Sequence, residues 1–98
     1  MKVTPSTQAR QDLQAIRHYI EKDNPTRAVT FVEELRDIAK RIGDMSRAFP
    51  LVPRYEQHGI RRRSYKGYGL LYSVERDRIF IHRILGPGRD QERALRLA

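Results

Sequence analysis

The apolar positions ahead of residue 44 fall into two helical stripes. Ala9, Leu13, Ile16 and Ile20 recur at steps of four, three and four, which puts them on one helix face. Thr4 is the expected N-cap and Pro5 the first helical residue, where a missing N–H costs nothing. Residues 2–3 precede it as a short strand. The segment EKDNP stops this helix, because Pro25 drives Asn24 away from helical angles. The same pair opens the next helix, with Asn24 as cap and Pro25 at its first position. Ala28, Phe31, Val32, Leu35, Ile38, Ala39 and Ile42 make its wider stripe, and Gly43 is the expected stop. Two amphipathic helices on so tight a link form an antiparallel hairpin. Neither can bury its stripe alone.

The segment GDMSRAFPLVPRYEQH has no sustained period. It reads as a loop with one helical turn near residues 44–47, pinned to the core by Met45, Phe49 and Leu51. Strands follow at 60–65, 68–74 and 78–85. The turn Lys66-Gly67 separates the first two, with Gly67 free to take a positive φ, and residues 75–77 turn between the last two. The second strand is rich in aromatic and β-branched residues. GPG at 86–88 ends the third, and residues 89–98 form a short helix or a frayed tail. The expectation is one α+β domain over residues 1–98. It has a short N-terminal strand, a two-helix antiparallel hairpin and a three-stranded antiparallel meander. The helices pack on one face of the sheet, and the other face is left open for the meander's arginines.

Composition adds a partner to this outline. The chain has 98 residues, enough for one core, and no cysteine, which excludes disulfides and thiolate metal sites. The three histidines are far apart and GPG lacks the spacing of a nucleotide fingerprint, so neither a metal nor a cofactor is expected. No run approaches the roughly 20 apolar residues of a membrane span. With no signal-like N-terminus either, a cytoplasmic, membrane-free protein is expected. The net charge is +8. Residues 1–58 carry ten basic and eight acidic side chains, residues 59–98 ten and four. Sixteen of the twenty cations are arginine, whose planar fork pairs bidentately with carboxylate or phosphate. The C-terminal half therefore expects an anionic partner, either nucleic acid or an acidic protein segment.

Asn24-Pro25 between the helices, Gly59-Ile60-Arg61 entering the meander, Tyr72 in its middle strand, and Arg83 to Leu85 followed by Arg89-Asp90 occur here in one order. In that order they resemble the ParE/RelE superfamily of small bacterial toxins, and its ParE-like, plasmid-stabilisation branch most closely. The resemblance runs over about residues 3 to 93. It implies the toxin half of a type II toxin–antitoxin pair. The antitoxin would carry an acidic, poorly ordered C-terminal segment that wraps the toxin, partly along the helices and partly against the sheet, in a hetero-oligomer. ParE-like members inhibit DNA gyrase by direct binding. RelE-like members cut mRNA in the ribosome.

The residues favour the inhibitor. A metal-independent ribonuclease needs an acid and a base near neutral pKa besides its cations. Tyr65, Tyr68 and His82 are the candidates for that work, each with an ordinary packing role as its competing explanation. The place after Leu85, where many members of the superfamily carry a histidine, is Gly86 here. Arg61, Arg62, Arg63, Arg83 and Arg89 are the expected contacts to the target or the antitoxin. For Arg61 the competing role is a structural ion pair with Asp90 or Glu92. Arg63 stands where apolar residues are common in the superfamily. A non-toxic nucleic-acid-binding module is a third reading.

Overall fold

The computed structural model describes residues 1–96. Strand β1 (Lys2–Pro5) leads into helices α1 (Thr7–Glu21) and α2 (Pro25–Ile42). After a loop come β2 (Arg61–Tyr65), β3 (Tyr68–Glu75), β4 (Arg78–Leu85) and a short helix α3 (Gln91–Arg96). The sheet order is β1-β4-β3-β2. The meander is antiparallel as expected, and β1 joins it in parallel beside β4. The helical part of the C-terminal expectation holds through Arg96. Residues 97 and 98 lie outside the described residues.

The chain enters α1 two residues later than the sequence suggests. Pro5 lies in β1, opposite Ile81, where an edge strand tolerates its missing N–H. Ser6, not Thr4, is the cap, and its hydroxyl accepts the Ala9 N–H at 2.9 Å. Asn24 caps α2 as expected, accepting from the Arg27 N–H at 3.0 Å, with Pro25 opening the helix. Gly43 ends α2 for a different reason from the one expected. Its backbone is right-handed, but a Cβ there would sit 2.4 Å from the Met1 carbonyl oxygen. Close approach of two chain segments, rather than a left-handed cap, requires the glycine.

The helices cover one sheet face. Ala9, Ile16, Phe31, Leu35, Ile38 and Ile42 meet Leu70, Tyr72, Ile79, Ile81 and Ile84 in the main core. The sequence expects the opposite face to be open, and half of it is not. Val52, Ile60, Leu71, Leu85 and Leu95 form a second cluster there, under α3 and the 51–60 segment. Val52, and not Leu51 or Met45, is the buried anchor of the loop, since Leu51 and Met45 are exposed. Phe49 packs against the main core.

One bulge makes this two-sided packing work. Tyr72 pairs with Ile81 and Leu71 with Arg83, so His82 is an extra residue on β4. Strict alternation would set Ile81 and Ile84 on opposite faces. The bulge lets both reach the main core and turns Leu85 to the second cluster.

Tyr72 is fully buried, and its hydroxyl donates to the Ser46 carbonyl at 2.8 Å. Burial raises its pKa above the ordinary phenol value. It thus fills the core and holds the loop after α2. Tyr72→Phe is expected to cost about 1 kcal/mol, the net worth of one hydrogen bond. Tyr72→Ala is expected to cost about 3–5 kcal/mol, because a cavity is added. Urea unfolding of both variants checks this order, and equal losses would place the whole effect of Tyr72 in its hydrogen bond.

Candidate functional site

The helices part above β1 and β4 and leave an open groove of about 510 Å³. Its floor is apolar, with Val3, Ala9, Leu13, Leu35 and Ile81 among the lining residues. Its rim is basic. Arg10 and Arg17 come from α1, Arg36 and Lys40 from α2, and all four are exposed. Arg17 lies 3.9 Å from Glu21; Arg10, Arg36 and Lys40 have no carboxylate within ion-pair distance among the described residues. An apolar trough with uncompensated cations on both banks suits an amphipathic, acidic chain segment.

The meander's arginines are mostly occupied within the molecule. Arg61 donates to the backbone carbonyls of Phe49 at 2.7 Å and Arg47 at 3.4 Å, so it fixes the loop rather than pairing with Asp90 or Glu92. It is Arg54 that pairs with Glu92, at 2.9 Å. Arg62 lies across Gly69, where a Cβ would come within 2.3 Å of its guanidinium, and donates to Ser64 Oγ and Gln91 Oε1. Arg63 stacks 4.9 Å from the centre of the Phe49 ring. An arginine can stand at that apolar place because β2 is an edge strand, where its guanidinium lies over the ring face and donates to the Ser64 carbonyl at 2.6 Å. Arg83 makes two bonds to Asp12, Nε to Oδ2 at 2.8 Å and Nη2 to Oδ1 at 2.9 Å. Of the five arginines singled out by the sequence, only the side chain of Arg89 has no hydrogen-bond or ion-pair partner among the described residues.

Two of the acid–base candidates, Tyr65 and Tyr68, face each other across the β2–β3 pair, and the third, His82, lies apart on β4. The Tyr65 hydroxyl donates to Glu34, which also accepts from Arg27 and lies 3.5 Å from Lys66 Nζ. Tyr68 packs on Phe31 with ring centres 4.9 Å apart, and burial raises its pKa. His82 sits at the bulge with Nε2 2.8 Å from the buried Ser73 hydroxyl. Burial lowers its pKa, with Glu75 acting against that shift. Tyr65 and Tyr68 thus bracket the Lys66-Gly67 turn and touch α2, while His82 lies on β4 beside Ser73 and Phe80. Among the described residues no group of three metal-ligating side chains converges, and no helix is long and apolar enough to cross a membrane.

The family model for the ParE toxin of the type II toxin–antitoxin system, parDE, matches residues 3–91. The chain belongs to the ParE toxin family. A chain from the chromosomal ParDE toxin–antitoxin system of P. aeruginosa superposes with a TM-score of 0.73. It shares 22% identity, over 89% of this chain and 96% of that one. A chain of the RelBE2 toxin–antitoxin complex from Mycobacterium tuberculosis gives a TM-score of 0.55 at 23% identity, over 90% and 92% of the two chains. At these identities the two structures share the fold. Comparison with curated proteins finds no match.

For this ParE-family toxin, sequence reasoning singled out charge in the meander and passed over the rim of the groove. The signal was present in the helices. Arg10 and Arg17 are two turns apart beside Leu13, and Arg36 and Lys40 are one turn apart beside Ala39. What the sequence could not show is that the two helices leave a groove between them over β1 and β4.

Glu34 carries the most perturbed carboxylate. Hydrogen bonds from Arg27 and then Tyr65 hold its pKa at about 2, below the ordinary 4.5. A depressed pKa means that the interaction stabilises the fold fully above pH 4.5 and is lost as pH falls toward 2. Glu34→Gln should therefore be less stable than the parent at neutral pH, with the gap closing between those two pH values. Urea unfolding of both proteins across that range tests it, and a gap that does not move with pH would exclude an ionised Glu34 as the organising charge.

Proposed function

We propose that this ParE-family toxin acts by binding DNA gyrase, not by hydrolysis, and that an antitoxin neutralises it by laying an acidic C-terminal segment in the groove between α1 and α2. The observation that carries the second half is the groove itself. Its apolar floor rewards burial of aliphatic side chains, and its unpaired rim cations, Arg10, Arg36 and Lys40, reward acidic ones. A disordered segment loses conformational freedom on docking, and many charge-assisted contacts offset that loss. The toxin would work in the bacterial cytoplasm and be stored there as a hetero-oligomer with its antitoxin.

Support for binding over RNA cleavage comes from the acid–base candidates. General acid–base catalysis needs two groups that reach one reacting phosphate. Tyr65 and Tyr68 face each other, but Tyr65 is bonded to Glu34 of α2 and Tyr68 packs on Phe31, while His82 faces Ser73 at the bulge. Arg61 and Arg83, two of the cations expected from the sequence to contact a partner, are bonded to backbone carbonyls and to Asp12 and so are not free to meet a cleaved phosphate.

The test is a DNA supercoiling assay with gyrase, the purified toxin and its antitoxin. The expected result is inhibition by the toxin, relief by stoichiometric antitoxin, and intact mRNA in translating extracts. Supercoiling unaffected by folded toxin, with transcripts cut on ribosomes, would replace the gyrase reading with the nuclease. The groove is tested separately by calorimetry. Arg36→Glu combined with Lys40→Glu should weaken antitoxin binding by at least about 100-fold, as two charge-assisted contacts become repulsive. Unchanged affinity would move the antitoxin to another face.

A further inference from the structure

Across the sheet from the groove lies a second, smaller concavity of about 430 Å³, between the end of β4 and α3. Leu85 and Ala94 give it an apolar wall, and three arginines, Arg83, Arg89 and Arg93, line it. They arrive from three different elements. Arg83 comes from the bulged end of β4, Arg89 from the Gly-Pro-Gly turn, and Arg93 from α3. Arg89 and Arg93 are near each other in sequence, and the fold brings Arg83 to the same pocket.

Arg83 is the fixed member. Its bidentate bond to Asp12 uses Nε and Nη2, and Nη1 has no partner among the described residues. Only 15% of its side chain is exposed, so its position is set before any ligand arrives. Arg89 and Arg93 are exposed and have no carboxylate within ion-pair distance among the described residues. The one acidic residue lining the pocket, Asp90, spends Oδ1 on the Arg93 backbone N–H, capping the turn into α3. The other nearby acid, Glu92, is held by Arg54. Arg62 adds a further positive charge beside α3, since it reaches Gln91 with only neutral partners.

We infer that this pocket binds phosphodiester groups of a nucleic-acid backbone. A phosphate presents several acceptor oxygens to a compact cluster of forks, and arginine matches that geometry better than any other side chain. The Leu85 and Ala94 wall keeps water from part of the site, which strengthens the contacts left inside. Nothing in the pocket reads base edges, so binding is to backbone and insensitive to sequence. The inference stands whichever enzyme the toxin acts on.

Fluorescence anisotropy with the full chain decides it. Two labelled probes of equal length are used, a duplex DNA and a single-stranded RNA, each titrated at several salt concentrations. Arg89→Ala combined with Arg93→Ala should weaken binding at least about tenfold and lower the log–log salt slope by about 2. The charge-matched pair Lys22→Ala with Arg47→Ala, on exposed positions outside the pocket, should leave both quantities near the parent values. Loss on either probe upholds the site and says which backbone it takes. Equal losses from the two double variants, or no loss on either probe, would overturn it by showing binding to be diffuse. A polyglutamate peptide that binds as tightly as the nucleic acids, with the same dependence on Arg89 and Arg93, would overturn the phosphodiester assignment.

Discussion

β1 is too short for the strand it pairs with, and much of the molecule follows from how that shortfall is met. It covers β4 only from Arg78 to Ile81. Beyond that point the edge of β4 presents backbone groups that burial would leave without partners, at a cost comparable with a lost hydrogen bond each. Helix α1 supplies the partners. Ser6 N–H donates to the Ile81 carbonyl at 2.8 Å, and its hydroxyl donates to the His82 carbonyl at 2.7 Å. Asp12 accepts the Ile84 N–H at 2.9 Å and the Arg83 guanidinium together. One serine thus caps a helix and extends a sheet, and one carboxylate ties α1 to the last turn of the strand. With α1 held at this edge and α2 tethered at the far end by the Gly43–Met1 approach, the helices part over β1.

This closure also explains which features the sequence revealed. The helical hairpin and the meander are written in local rules: periodicity, the Asn24-Pro25 cap and the Lys66-Gly67 turn, where both residues take positive φ. Those rules need no knowledge of distant contacts, and they gave the right elements. The start of α1 was misplaced because Thr4, Pro5 and Ser6 all satisfy the local rules for a helix start. Only the pairing of Pro5 with Ile81, 76 positions away, decides among them. The bulge is likewise absent from local pattern. IFIHRIL read with strict alternation mixes Ile84 with Phe80 and His82, and only the meeting of Leu71 with Arg83 shifts the register.

Charge was the least legible property, for the same reason. An arginine's sequence position says little about whether its guanidinium is spent. Arg61 is used on carbonyls, Arg62 on a glycine platform and α3, Arg63 on an aromatic ring, and Arg83 on Asp12. These contacts answer why an edge strand can carry three consecutive arginines. Each one holds a piece of loop or helix to the sheet, and their charge blunts an edge that would otherwise pair with other chains. The cations that line the groove and the pocket without a partner are on exposed helix faces, in α3 and at Arg89 just before it, and of these the sequence singles out only Arg89.

The two basic surfaces are set apart by the sheet itself. The groove is floored by Ile81 and Ile84, on the helix side, and the pocket is walled by Leu85, on the other. An acidic segment lying in the groove would pair with Arg10, Arg36 and Lys40 and leave Arg89 and Arg93, on the other side of the sheet, without a direct partner. Neutralising one face of such a toxin does not by itself neutralise the other. A partner that silences both must either reach around the sheet edge or hold the toxin where no nucleic acid can approach α3.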